Sequence, residues 1–272
     1  MAFSVPLCDN PSALCVEGLD FRYHKSMADP KARRIGLSRA LSKLGYCSRS
    51  SAASLIREGR VTLNGKIVSD PETPSTAKDE IQVDGVRIGA RQKIYLMLNK
   101  PRGLVTTASD ERGRETIYSL INAATTWLAP VGRLDKASEG LLLLTNDSEW
   151  AARIAAPESH LDKIYHVQIG IVADRDFIQN LLRGVQDKTG ELLRAKQARL
   201  LRSGQKNCWL EIILDEGRNR QIRRMMEAMN VEVLRLVRIA IGPLQLGSLA
   251  KGASRDLTHD EKKSLHHALG QS

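Results

Sequence analysis

The sequence predicts an α+β fold in two parts. A small helix-helix-sheet module comes first, and a larger domain on a mixed or antiparallel sheet follows. Three observations lead there. Two short helical patterns run directly into a hairpin signal at Asn64-Gly65. Beyond residue 93, short strands come in meander-like clusters with inserted helices, without regular β-α-β alternation. No glycine-rich phosphate loop or dinucleotide fingerprint is present. The 272 residues suffice for one large or two ordinary domains, each with its own core. The expected divisions are an extension over 1–34, the module over 35–92, the larger domain over 93–260 and a tail or helix end over 261–272, with a flexible hinge near Arg87 to Lys93.

In the module, Leu37, Leu41 and Leu44 have helical spacing, and Gly45 stops that helix. Ser48 is a good N-cap for a second helix that turns Ala52, Leu55 and Ile56 inward. Residues 59–68 form the hairpin and 81–85 a third strand. Arg39, Lys43, Arg49, Arg57 and Arg60 fall on the polar face. Such a face suits phosphate contacts, which give affinity and position with little sequence discrimination. The plainer reading is a solvated surface.

The larger domain opens with a strand over 94–100, and Pro101-Arg102-Gly103 turns the chain out. Residues 107–115 form a polar loop, after which 117–121 and Trp127-Leu128 return to the core. Ser148 caps a helix over 148–154 with an acidic first turn. Residues 163–169 alternate, with Tyr165 and Val167 on one face and Ile164 and His166 on the other. A helix over 174–185 follows, then strands over 196–201 and 209–214. Residues 215–226 pass from strand through turn into a helix. Ile222, Met225, Met226 and Met229 form its apolar stripe, while Arg220, Arg223 and Arg224 share the other side. A long strand over 231–241 is interrupted by Arg235 and Arg238, and Thr258 caps a terminal helix.

A net charge of +10 and clustered arginines call for an anionic partner, nucleic acid before an acidic membrane surface. No apolar run approaches the roughly 18 residues that span a bilayer. The four cysteines show no CxxC spacing and no histidine pair has metal-ligand spacing, so neither a disulfide framework nor a metal site is expected, and a reducing cytoplasm fits. Residues 1–26 lack the basic-then-apolar pattern of a secretory signal, and translation starting at Met27 is an open alternative. No long amphipathic seam suggests self-association, so a monomer is expected.

Residues 132–147 are the stretch that carries chemistry. A charged segment, Arg133-Leu134-Asp135-Lys136-Ala137-Ser138-Glu139-Gly140, runs into four leucines that read as a buried strand. Asp135 lies between two cations, which favours its ionised form. An ionised carboxylate held on a rigid strand can attack a sugar carbon. Read alone, Asp135 is more simply a surface ion-pair residue.

Two resemblances change that balance. The run from Leu37 to Val68, ending in R-E-G-R-V-T-L-N-G, resembles the RNA-binding module named after ribosomal protein S-four. It departs from the family at Ser38-Arg39, where an arginine followed by an acidic residue is usual. The later blocks are K-P-R-G, G-R-L-D-K-A-S-E-G-L-L-L-L-T-N-D, K-I-Y-H-V, E-G-R-N-R-Q-I-R-R-M and L-R-L-V-R-I-A-I-G-P-L. In that order they are similar to the motifs of ribosomal RNA pseudouridine synthases of the RsuA family. The resemblance implies that Asp135 is the catalytic nucleophile and Tyr165 the active-site tyrosine that stacks on uracil and is a candidate for proton abstraction. It makes Arg223 the cation paired with the aspartate and Leu236 the apolar residue under the base. Arg133, Arg218 and Arg220 are the candidates for further substrate contacts. It implies no cofactor, and as partner ribosomal RNA or an assembly intermediate. The 109–116 loop resembles the large-subunit enzymes, favouring 23S rRNA, with 16S rRNA the alternative. Two rival readings stay open: a non-catalytic RNA-binding or assembly factor on this fold, and a hydrolase using Asp135 on a small substrate.

Overall fold

The computed structural model of the protein describes residues 34–107, 113–121 and 127–270. The expectations for residues 1–33, and for residues 109–112 of the 109–116 loop, lie outside the described residues. From Arg34 onward the chain forms one compact unit. Its first part holds β1 (Ile35–Gly36), α1 (Leu37–Lys43), α2 (Arg49–Arg57), β2 (Val61–Leu63), β3 (Lys66–Ile67), β4 (Pro74–Ser75), β5 (Ile81–Val83) and β6 (Val86–Arg87). The Ser48 side chain accepts the Ser51 N–H and starts α2 as expected. Asn64 and Gly65 take φ of 52° and 79°, the left-handed pair that a tight hairpin demands. Leu37, Leu41, Ala52 and Ile56 close over Val61, Ile81 and Val83 in one core.

The second part runs β7 (Tyr95–Lys100), β8 (Ala129–Val131), β9 (Glu139–Thr145), α3 (Ser148–Ala155), β10 (Lys163–Ile169), α4 (Arg175–Arg183), β11 (Val185–Gln186) and β12 (Leu192–Leu193). It continues with β13 (Gln197–Ser203), β14 (Cys208–Leu214), α5 (Gln221–Ala228), β15 (Val233–Ile241), β16 (Leu244–Gln245), β17 (Ser254–Asp256) and α6 (His259–Ala268). Nine of these strands make one sheet along β13-β14-β10-β15-β9-β7-β17, with β16 against β15 and β8 against β9. One pairing in this sheet is parallel, Val237 of β15 opposite Glu139 of β9 and Arg238 opposite Gly140, so the sheet is mixed. The leucine run of β9 is buried on both faces. Leu142 and Leu144 pack with Leu98 and Ile117, and Leu141 and Leu143 with Met97 and Trp150. Double burial explains why this strand is continuously apolar where β10 alternates. Each leucine contributes about 2 kcal/mol of transfer free energy.

The structure corrects four expectations. Asp147, not Ser148, caps α3, its carboxylate accepting the N–H groups of Glu149 and Trp150. The helix expected over 174–185 stops at Arg183, because Gly184 takes φ 109° and Val185 begins β11. β15 begins at Val233, not at residue 231, and its pairing with β10 slips between Ile164 and Tyr165 and between Gln168 and Ile169, while Arg238 is buried with its Nε donating to the Leu141 carbonyl at 2.8 Å. The hinge expected at 87–93 is tied down. Asn146 donates to the Gln92 carbonyl at 2.8 Å and accepts the Ile94 N–H at 2.9 Å, while Lys93 Nζ donates to the Lys43 carbonyl at 2.8 Å.

Candidate active site

Asp135 sits in the loop between β8 and β9, and the backbone of that loop is held at five successive carbonyls. Thr106 Oγ1 donates to the Leu134 carbonyl at 2.7 Å. Lys100 Nζ donates to the carbonyls of Asp135 and Ser138 at 3.2 and 3.0 Å, and to that of Pro101 at 3.1 Å. The Gly103 N–H takes the Lys136 carbonyl at 2.8 Å, and Arg223 Nη2 takes that of Ala137 at 2.9 Å. A short loop with every carbonyl engaged has little freedom, so the Asp135 side chain leaves a fixed backbone. Burial pulls the Lys100 ammonium down to about 8, opposed by the nearby Asp135 and Glu139 charges. At neutral pH it is still mostly charged and can serve three acceptors at once.

The Asp135 carboxylate opens into a cavity of about 660 Å³. Tyr165 from β10, Leu236 and Arg238 from β15, and Ile222 from α5 line it with Asp135. Tyr165 lies on the face of β10 expected for it, at the seam of two cores, and Leu236 is buried as an apolar floor. Arg133, Arg218 and Arg220 stand at the same cavity.

The cation beside Asp135 is not the expected one. Arg220 Nη1 stands 3.5 Å from Asp135 Oδ2, whereas Arg223 is committed to the loop carbonyl of Ala137. The reason is local backbone geometry. Arg220 adopts φ 48° just ahead of α5, while Arg223 lies a turn further in and half-buried. Burial lowers the Arg223 pKa, Arg220 and Arg102 lower it further, and Asp135 alone opposes them. The chain neighbours Arg133 and Lys136, read from sequence as the charges on Asp135, are exposed. Arg218 is held by Glu216 and Glu191, both at 2.8 Å.

Sequence reasoning missed Lys100, Thr106, Lys163 and Arg238. Lys100 and Arg238 occupy strand positions whose spacing differs in nothing from that of solvent-facing residues. Lys163 and Arg238 add cations to the cavity wall, and burial lowers the Lys163 pKa, with Arg238 adding to the effect. On the first module, Arg39, Arg49 and Arg57 are exposed with no ion pair among the described residues. Lys43 instead pairs with Glu149 of α3 at 2.5 Å, and Arg60 pairs with Asp84 at 2.7 Å and Glu58 at 3.3 Å.

An aspartate on a clamped loop, an aromatic face and an apolar floor in one cavity, beside a basic module, are the parts that an enzyme acting on a base of RNA requires. Comparison with known proteins narrows the class. The RNA pseudouridylate synthase model matches residues 94–228 and the S4 domain model residues 36–81. The chain is 36% identical over 231 residues to ribosomal large subunit pseudouridine synthase B of Bacillus subtilis, covering 84% of this chain and 94% of that one. It is 37% identical over 243 residues to an uncharacterized RNA pseudouridine synthase of Aquifex aeolicus, covering 87% and 95%. A crystal structure of a pseudouridylate synthase matches with a TM-score of 0.60 at 31% identity, covering 85% of this chain and 99% of that one. The chain belongs to the RNA pseudouridine synthase family, as an enzyme with an S4 domain ahead of its catalytic domain.

Proposed function

We propose that the enzyme converts one uridine of ribosomal RNA to pseudouridine with Asp135 as nucleophile. The favoured substrate is 23S rRNA, with 16S rRNA the alternative. The observation that carries this reading is the cavity in which Asp135, Tyr165 and Leu236 meet. A flipped uridine places its ribose against Asp135 and its base between the tyrosine ring and the leucine. Asp135 bonds to C1′ as the C1′–N1 bond breaks, and the uracil leaves with the electron pair. The trapped base turns, C5 bonds to C1′, and the aspartate leaves. The C5 proton is then exchanged for one on N1 with the Tyr165 hydroxyl as relay, its oxygen taking the C5 proton as its own proton passes to N1, so no net proton is gained or lost. A single carboxylate suffices, unlike the pair that glycosidases use.

Arg220 orients the carboxylate, and Arg223 positions the loop through Ala137. Arg39, Arg49 and Arg57 hold the RNA backbone, and those contacts offset the few kcal/mol that base flipping costs. Likeness to the Bacillus subtilis large-subunit enzyme supports 23S rRNA. Mapping pseudouridines in both ribosomal RNAs, with and without the gene, tests the assignment. One 23S position should lose its modification. A lost 16S position would move the substrate to the small subunit, and no loss in either RNA would contradict the reading.

A further inference from the structure

Alternation along β10 sends Tyr165 to the catalytic cavity and His166 to the opposite face of the sheet. A second recess, of about 360 Å³, lies there, lined by His166, Leu201, Arg202, Trp209 and Val237. The inner face of these strands is covered, with Val167, Leu210 and Ile212 packed in one core with residues of α4 and α5. Among the described residues no hydrophobic cluster includes Trp209 or Val237, so the outer face is left without an apolar partner. Its charges are layered. Arg199, Arg235 and Lys251 keep 68%, 43% and 54% of their side chains exposed, while the carboxylates they meet, Glu211 and Glu139, keep 14% and 4%. Arg202 and Arg235 stand 4.9 and 5.6 Å from the Trp209 ring centre. An approaching molecule therefore meets guanidinium groups and an indole before any carboxylate.

We propose that this face is a second RNA-binding surface, which holds single-stranded substrate RNA away from the target uridine. Its arginines pair with phosphates, and a base stacks on Trp209 in place of one guanidinium. That combination of cationic track and aromatic platform is what single strands need and what an acidic peptide does not use. The inference rests on the enzyme acting on a long RNA, and it extends past the uridine site.

Arg202 is the residue to change, because it makes no ion pair among the described residues and its contact is the Trp209 ring. Arg202→Glu and Arg202→Lys are compared with wild type for binding to a full-length 23S rRNA transcript and to a short uridine hairpin sized to the cavity, across a salt series. Arg202→Glu should weaken the long transcript about tenfold and reduce its salt slope by roughly one. It should leave hairpin affinity unchanged, and Arg202→Lys should restore most of the loss. Equal losses on both RNAs, or no loss on either, overturn the proposal; the second result is also what a protein-docking face would give. Failure of wild type to convert uridine would count against the proposed reaction and leave the affinity comparison readable.

Discussion

The ammonium of Lys100 is fully enclosed and faces three carbonyl oxygens, two of them in the loop that carries Asp135. Burying a charge in this way is costly, and the site tolerates it because every proton finds an acceptor. The pKa of about 8 gives a testable consequence. An unfolded lysine keeps its proton to about 10.4, so between about pH 8 and 10 the unfolded chain holds more protons than the folded one. This group's contribution to stability therefore rises with pH across that window. The neutral amine has two donors for three acceptors, so the loop loosens over the same range. Conversion rate should fall above about pH 8 with no fall in denaturation midpoint traceable to Lys100, and Lys100→Met should flatten that alkaline limb at a rate roughly tenfold lower. A pH–rate profile of both proteins, beside denaturation curves, checks it. Neither Lys100 nor the exchange of Arg223 for Arg220 beside Asp135 was legible in the sequence. Burial at a strand end and a left-handed backbone at Arg220 are set by long-range packing, and local spacing does not record them.

At the scale of elements, the parallel contact of β9 with β15 brings the Asp135 loop and the cavity floor together. It depends on Gly140. That residue takes φ +103°, and a Cβ there would lie 2.2 Å from the backbone oxygen of Arg238. Gly140→Ala should push the two strands apart and cost about 3 kcal/mol, read as a lower denaturant midpoint. An unchanged midpoint would mean that the contact is not needed. Much at this scale could be read in advance. The leucine run announced a buried strand, Asn64-Gly65 a hairpin, and Thr258 the cap that starts α6. Adjacent cap formers at Asp147-Ser148 left the start of α3 ambiguous by one residue. The pairing of β15 with β9 could not be read, because the two strands lie far apart in the sequence and register is fixed only when the sheet closes.

At the scale of the whole molecule, the S4 domain is joined to the catalytic domain by more than a linker. Lys43 of α1 reaches Glu149 of α3, the Arg91 N–H takes the Leu44 carbonyl, and Asn146 holds the connection at Gln92 and Ile94. In the proposed reading, this basic module binds the RNA and presents one nucleotide to the carboxylate of the clamped Asp135 loop. The most direct test is conversion of uridine in 23S rRNA by Asp135→Asn, followed by mass spectrometry, with RNA affinity measured on the same protein. The amide keeps shape and removes the charge, so affinity should stay within about twofold of wild type while conversion falls by at least 10³-fold. Conversion by the Asn variant at the wild-type rate would contradict the account.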